Sequence, residues 1–512
     1  MQTKKRLNPS ASLCRQSLAP LLRLTLGLGG VVGMAVTGSL HAQVWGLGSA
    51  DVVLEGAPAF ANDQYGTALA VGNVDGDGFS DLAIGAPLYN SVNGGLFELY
   101  RGGASGFTWF QTQYSPTGAR LAAALVFGDF DGDGIDELAT GRPYAPFGSQ
   151  LEAGAVFVHS FIPGGSGTAL QQGMQLQGVP NSYDHMGAAL AVGDFNDDGY
   201  DDLAIGVPGE NVVTSAGGTA VDAGVVMIVP GSASGLNFDA DQMFSQSALG
   251  GVQGNARFGE VLASGDFNGD NSYDDLAVGV PHRDVDGQID SGQVVVLYSN
   301  GNGLVSTNAQ VLTSQDLTLL NEAGDQFGAA LATGDFNRTP GCWNQFRCRT
   351  DLVIGVPGED QATASGSLVD VGVVVVVSGS DTGIDPASAH VILQSDLLDG
   401  ASLPEVNDHF GAVLASHWLT SSYLLGSWRN PSPDNLVIGV PDEGWQGVNN
   451  AGVVHLVFGG PSGLLSGRQG QYWVNWNGLA SAPGATNQHF GEALAIGDFN
   501  ADGHAELAVG IP

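Results

Sequence analysis

Asp129-Phe130-Asp131-Gly132-Asp133-Gly134-Ile135-Asp136-Glu137 places an oxygen-bearing side chain at its first, third and fifth positions, a glycine at its sixth and an acid at its ninth. The pattern recurs. Asn73-Val74-Asp75-Gly76-Asp77-Gly78 precedes it, and Asp194-Phe195-Asn196-Asp197-Asp198-Gly199 follows. Further copies stand at Asp266-Phe267-Asn268-Gly269-Asp270, Asp335-Phe336-Asn337 and Asp498-Phe499-Asn500-Ala501-Asp502-Gly503. A degenerate copy near His417 keeps the apolar flanks and lacks the acids. The copies begin at 73, 129, 194, 266, 335, 417 and 498. Such spacing exceeds that of most solenoid repeats and leaves room for four strands with loops.

Each unit reads alike. A short Ala- and Leu-rich strand (Ala68–Val71, Ala188–Val192, Ala329–Ala332) leads into the acidic loop. A second strand ends in Gly-x-Pro, as at Gly85-Ala86-Pro87 and Gly206-Val207-Pro208. A third opens after Gly and is rich in Val (Gly154–Val158, Gly224–Ile228, Gly292–Leu297, Gly372–Val377, Gly452–Val457). A weaker fourth follows, as at Met174–Leu176 or His390–Leu393. Short apolar and β-branched runs bounded by Gly and Pro are strands rather than helices. Seven four-stranded units predict an all-β, seven-bladed β-propeller, with the small residues on its crowded innermost strands. It is expected over 43–512, with repeats beginning near 65, 120, 185, 258, 327, 410 and 490. The seventh copy stops at Pro512, after its second strand. Val52–Leu54 can return as its outer strand, but no segment is assigned to its third. The last blade is therefore expected to be incomplete, or the ring open at that seam.

In the loops, copy one offers Asn73, Asp75, Asp77, the Phe79 carbonyl and Asp81. Copy two offers Asp129, Asp131, Asp133, the Ile135 carbonyl and Glu137, and copy three Asp194, Asn196, Asp198, the Tyr200 carbonyl and Asp202. Copy seven offers Asp498, Asn500, Asp502, the His504 carbonyl and Glu506. Alternating oxygens around a tight turn suit a hard cation with six to eight oxygen ligands, and calcium is the expected ion. Asx-turns would explain one such loop, but not carboxylates converging in several. Copy four has one extra residue, so Asp266, Asn268, Asp270 and Asp275 form a distorted set, for about five sites in all. In copy five an insert with Cys342 and Cys348 separates Asp335 and Asn337 from Asp351, and copy six has no set.

Acids outnumber bases 52 to 15, and five of the bases lie in the first 42 residues. So acidic a chain argues against nucleic acid and anionic membrane as partners. Residues 1–42 read as a secretory signal. Lys4, Lys5 and Arg6 precede a glycine-broken apolar run at Leu24–Val36, and Leu40-His41-Ala42 offers a small residue at the cut before Gln43. The protein is expected to be secreted, periplasmic or at the cell surface, without membrane insertion once the signal is removed. In that setting Cys342 and Cys348 are expected to form a disulfide.

A second element recurs as Tyr65-Gly66, Met186-Gly187, Phe258-Gly259, Phe327-Gly328, Phe410-Gly411 and Phe490-Gly491; copy two departs, with Arg120-Leu121. In these elements the chain resembles the FG-GAP repeats of integrin α-subunit propellers, of many exported bacterial proteins and of glycosylphosphatidylinositol-specific phospholipase D. The resemblance implies a seven-bladed propeller with calcium between strands one and two, and it names no ligand. The expected function is a recognition or adhesion scaffold for protein or glycan. The alternative is the propeller portion of a hydrolase resembling that phospholipase, without its catalytic domain. Neither Gly-x-Ser-x-Gly nor His-Glu-x-x-His occurs, and no enzymatic activity is expected. His185, His409 and His489 precede the Phe-Gly position and are expected to serve the repeat. A partner is expected on the face of the two-three loops, which carry Glu210, Asp284, Asp286, Glu359, Asp360, Asp442, Glu443 and Trp445.

Overall fold

Seven Ala- and Leu-rich strands need seven places beside one axis, and the computed structural model provides them in seven four-stranded antiparallel sheets. It describes residues 41–45, 52–56, 63–89, 94–115, 118–161, 168–170, 178, 180–248, 251–270, 274–337, 349–363, 366–397, 404–417, 433–445, 448–460, 463–464, 471–474 and 487–512. The inner strands are Ala68–Gly72, Leu125–Gly128, Leu190–Gly193, Val261–Gly265, Ala330–Gly334, Val413–His417 and Leu494–Gly497. Each touches the next, and the last touches the first, so the ring is closed.

Blade three is representative. Leu190–Gly193, Asp202–Val207, Val225–Val229 and Gln242–Ser245 pair in chain order. Its second and third strands are buried along their whole length, because a neighbouring blade covers each face. The fourth strands are more exposed, as at Thr108–Tyr114. The aromatic residue after the first loop position lies between blades. Phe195 packs with Leu276, Val278 and Val295 of blade four. Burying one such ring contributes roughly 2–3 kcal/mol.

Two kinds of glycine meet at six of the seven blade boundaries. A Cβ on Gly141 would lie 2.1 Å from the Gly187 carbonyl oxygen, and one on Gly206 would lie 2.0 Å from that of Gly259. At the closure, a Cβ on Gly510 would lie 2.0 Å from the Gly66 oxygen. No side chain fits, which gives the Gly-x-Pro element its physical reason. In the departing second copy Ala122 takes the facing place, its oxygen 2.5 Å from a Cβ on Gly85.

The closing blade corrects the expectation of a gap. His41–Trp45 pairs with Glu506–Ile511, and Val52–Glu55 pairs with His41–Trp45. The sheet is complete, in the order 52–55, 41–45, 506–511, 494–497. Val52–Glu55 matches the expected outer strand, and the missing third comes from His41–Trp45, whose first two residues read as the end of an export signal. Ala42 pairs with Gly510, so this strand straddles the boundary expected between 42 and 43. In blade two the fourth strand is Thr168–Leu170. The expected Met174–Leu176 lies outside the described residues, as do residues 1–40, Cys342 and Cys348. Among the described residues no helix is long and apolar enough to cross a membrane.

Candidate metal centre

Strands one and two of a blade are antiparallel neighbours, so the loop between them folds back tightly and its alternate side chains converge. In copy two, Asp129, Asp131 and Glu137 bring oxygens within 4.8 Å of one another, and in copy seven Asp498, Asp502 and Glu506 do the same. Backbone amides set the curvature. Asp129 accepts from the amides of Asp133 at 3.0 Å and Gly134 at 2.9 Å, and Asp133 accepts from Ile135 at 2.9 Å. Copy three repeats this, with Asp194 accepting from Asp198 and Gly199 and Asp198 from Tyr200. Copy seven repeats it again through Asp498, Asp502, Gly503 and His504.

The ninth-position acid also ties the loop to its blade. It accepts from the second-position amide in every acidic copy: Asp81 from Val74 at 2.8 Å, Glu137 from Phe130 at 3.2 Å, Asp202 from Phe195 at 3.0 Å, Asp275 from Phe267 at 3.1 Å and Glu506 from Phe499 at 3.0 Å. Asp81, Asp202 and Asp275 turn their other oxygen to the amides of Gly102, Gly231 and Ser299, where the third strand ends. Asp351 of copy five is bound the same way, by Phe336 and Gly379.

These carboxyls are electrostatically unsettled. Burial, followed by the charge of Asp131, pushes Glu137 up to about 8. Burial likewise pushes Asp275 up to about 8, Asp202 and Glu506 to about 7 and Asp81 to about 6. Such groups hold a proton or require positive charge beside them. The copies are not equivalent. In copy one Asn73 accepts from Gly76 and Asp77 from Phe79, while the Arg101 Nε lies 3.2 Å from Asp75 and so brings a charge of the chain's own to that loop. In copy four Asp266 accepts from Gly269 at 2.7 Å and Asn268 from Asp270 at 2.9 Å. In copy seven the His504 Nδ1 lies 2.9 Å from Asp502.

The acid just before the ninth-position residue or its equivalent, at position eight in loops of ordinary length, escaped the sequence reading. Asp136 accepts from the Asn73 amide at 2.7 Å, Asp201 from Asp129 at 2.9 Å, Asp274 from Asp194 at 3.2 Å and Asp434 from Asp335 at 2.9 Å. Each bond crosses to the first loop residue of the preceding blade. Strand alternation is the signal that could have revealed it, since adjacent acids must point opposite ways.

The opposite face also differs from expectation. Glu210, Glu359 and Glu443 are buried and so are not presented to a partner. Asp442 is held between His409 at 2.8 Å and His489 at 3.2 Å, and His185 lies 3.1 Å from Glu152. The three histidines thus pair with acids of the repeat. Trp445 is half-buried and Asp286 is exposed.

The FG-GAP repeat model matches residues 65–104, 121–159, 186–226, 258–297 and 490–512. Integrin alpha pat-2 of Caenorhabditis briggsae is 32% identical over 44% of this chain and 18% of its own length. Integrin alpha-5 of Xenopus laevis is 27% identical over 44% of this chain and 20% of its own. Phosphatidylinositol-glycan-specific phospholipase D of Bos taurus is 33% identical over 34% of this chain and 19% of its own. The matches therefore span about a fifth of each relative. Seven closed blades, the glycine contacts between them and the repeat match together identify the chain as a β-propeller of FG-GAP repeats.

Proposed function

We propose that this propeller is an exported, calcium-stabilised recognition scaffold for a protein or glycan. The observation that carries the reading is the convergence of Asp129, Asp131 and Glu137, repeated at Asp498, Asp502 and Glu506. Asn73, Asp194, Asp266 and their loop partners extend the proposed set to about five sites. Calcium in these loops would neutralise carboxyls that otherwise need protons, and would brace the boundaries that the loops join. The integrin relatives support a recognition role and a position outside the cytoplasm. The two-three loops on the other face vary in length and offer the partner surface. The reading assigns the chain no catalytic residue; the phospholipase similarity is attributed to the shared repeat. Arrays of glycans and extracellular proteins, probed with the folded protein in calcium and in chelator, test it. Calcium-dependent retention of a defined ligand supports the scaffold, and turnover of an arrayed lipid or glycan substrate contradicts it.

A further inference from the structure

On the face away from the acidic loops, two positions meet beneath a blade, as in blades three and five: the residue two before the Phe-Gly element and the residue two after the proline of Gly-x-Pro. Their backbones are joined, as where Gly358 donates to the Asp325 carbonyl at 3.1 Å and Gly209 to that of Asp184 at 3.0 Å. The repeats fill this place differently. Blade two has Ala119 and Ala145, packed in a small apolar cluster. Blade four has Ala256 and Arg283, and Arg283 donates to Gln246 at 2.7 Å. Blade six has Asp408 and Glu443, which hydrogen-bond to one another, and Gln394 donates to Glu443 at 2.6 Å. Blades two and four thus place no carboxyl there, and blade six bonds its two carboxyls to one another and to Gln394.

Blade five has Asp325 and Glu359, 1% and 7% exposed, without the partners that blade six provides. The short helices Ser314–Leu317 and Gln394–Leu397 align, so Ser314 stands where Gln394 stands in blade six. The shorter side chain removes the amide donor. The Glu359 Oε2 and the Ser314 Oγ are both buried without a hydrogen-bond partner. Gln326 occupies the place of His409. The charged groups around the pair are Glu322, Asp360 and Asp370, all acids. A buried carboxylate pair with an orphaned oxygen of its own, and an orphaned hydroxyl at the position from which Gln394 reaches Glu443 in blade six, calls for a cation that the chain does not supply.

We propose that blade five holds a calcium-class divalent cation between Asp325, Glu359 and the Ser314 hydroxyl, on the face opposite the acidic loops. All the donors are hard oxygens, which selects calcium or magnesium over softer ions. The test counts ions by native mass spectrometry of the full chain equilibrated with calcium. Ser314→Gln restores the blade-six donor and is expected to bind one ion fewer while folding normally. Glu359→Gln is expected to lose the same ion, and Asp131→Asn a different one, so the double variant Ser314→Gln/Asp131→Asn loses two. Should Glu359→Gln fail to fold, Ser314→Gln alone decides. An unchanged count in Ser314→Gln overturns the proposal and leaves a proton shared by the pair. The loops of the other face are read separately by Asp131→Asn, so either set of sites can fail without the other.

Discussion

Loops two and six occupy equivalent places in their blades and have opposite chemistry. Loop two gathers Asp129, Asp131 and Glu137, whereas copy six lacks the alternating acids and pairs Asn435 where loop two pairs Glu137. Yet Val413–His417 and Asn435–Val440 pair as regularly as any first and second strands. Asp434 still reaches the Asp335 amide, and a Cβ on Gly439 would lie 2.2 Å from the Gly491 oxygen. The repeat therefore carries two separable instructions. Glycines, the buried aromatic and the eighth-position acid build and join blades; the other loop acids form a cluster that a blade can lack.

The largest expected effect is on the cation instruction. With a Kd near ~10⁻⁴ M, each site at roughly 1 mM calcium adds about 1.4 kcal/mol, and five add on the order of 7 kcal/mol. Thermal melts in calcium and in chelator should differ by many degrees, and coincident melts would show that all loops behave as loop six does. The joining instruction should respond next. Gly206→Ala forces a Cβ against the Gly259 carbonyl and is expected to cost about 3 kcal/mol or to prevent folding, equally with and without calcium. A cost that vanished in chelator would mean that the two instructions are not separable. Asp201→Ala removes the bond to Asp129 and should cost about 2 kcal/mol in denaturant unfolding.

Acidity sharpens the contrast with a smaller effect. Burial raises the Glu137 carboxyl from its ordinary 4.5 to about 8 and Asp275 from 3.8 to about 8. Without calcium their stabilising protons are fully bound below the unfolded values and are lost as pH rises through about 8. The chelated protein should therefore melt at a lower temperature at pH 8 than at pH 5. Under the proposed function calcium would replace those protons, so its increment should grow over the same window. A calcium increment independent of pH would contradict the assignment of these carboxyls to the sites.

Most of the blade was legible because its determinants are local. Ala68–Val71, the alternating acids and Gly85-Ala86-Pro87 each declare a strand, a loop and a turn within a few residues. What escaped depends on distance or on pairing. His41–Trp45 forms a strand, but the expected signal boundary after Ala42 divided it and hid it. Asp201 and Asp202 look like one acidic pair, although one serves the preceding blade and the other its own loop. Glu359 and Glu443 follow glycine or aspartate in variable loops and so read as part of a partner surface. Their buried partners, Asp325 and Asp408, stand more than thirty residues earlier in the chain.

The separation of the two instructions is tested most directly by calcium titration of Asp131→Ala and Asp434→Ala beside the unaltered protein. The account predicts that Asp131→Ala binds one ion fewer with its chelated stability unchanged. Asp434→Ala should keep every ion and lose stability in calcium and chelator alike. An unchanged ion count in Asp131→Ala, or a lost ion in Asp434→Ala, would contradict it.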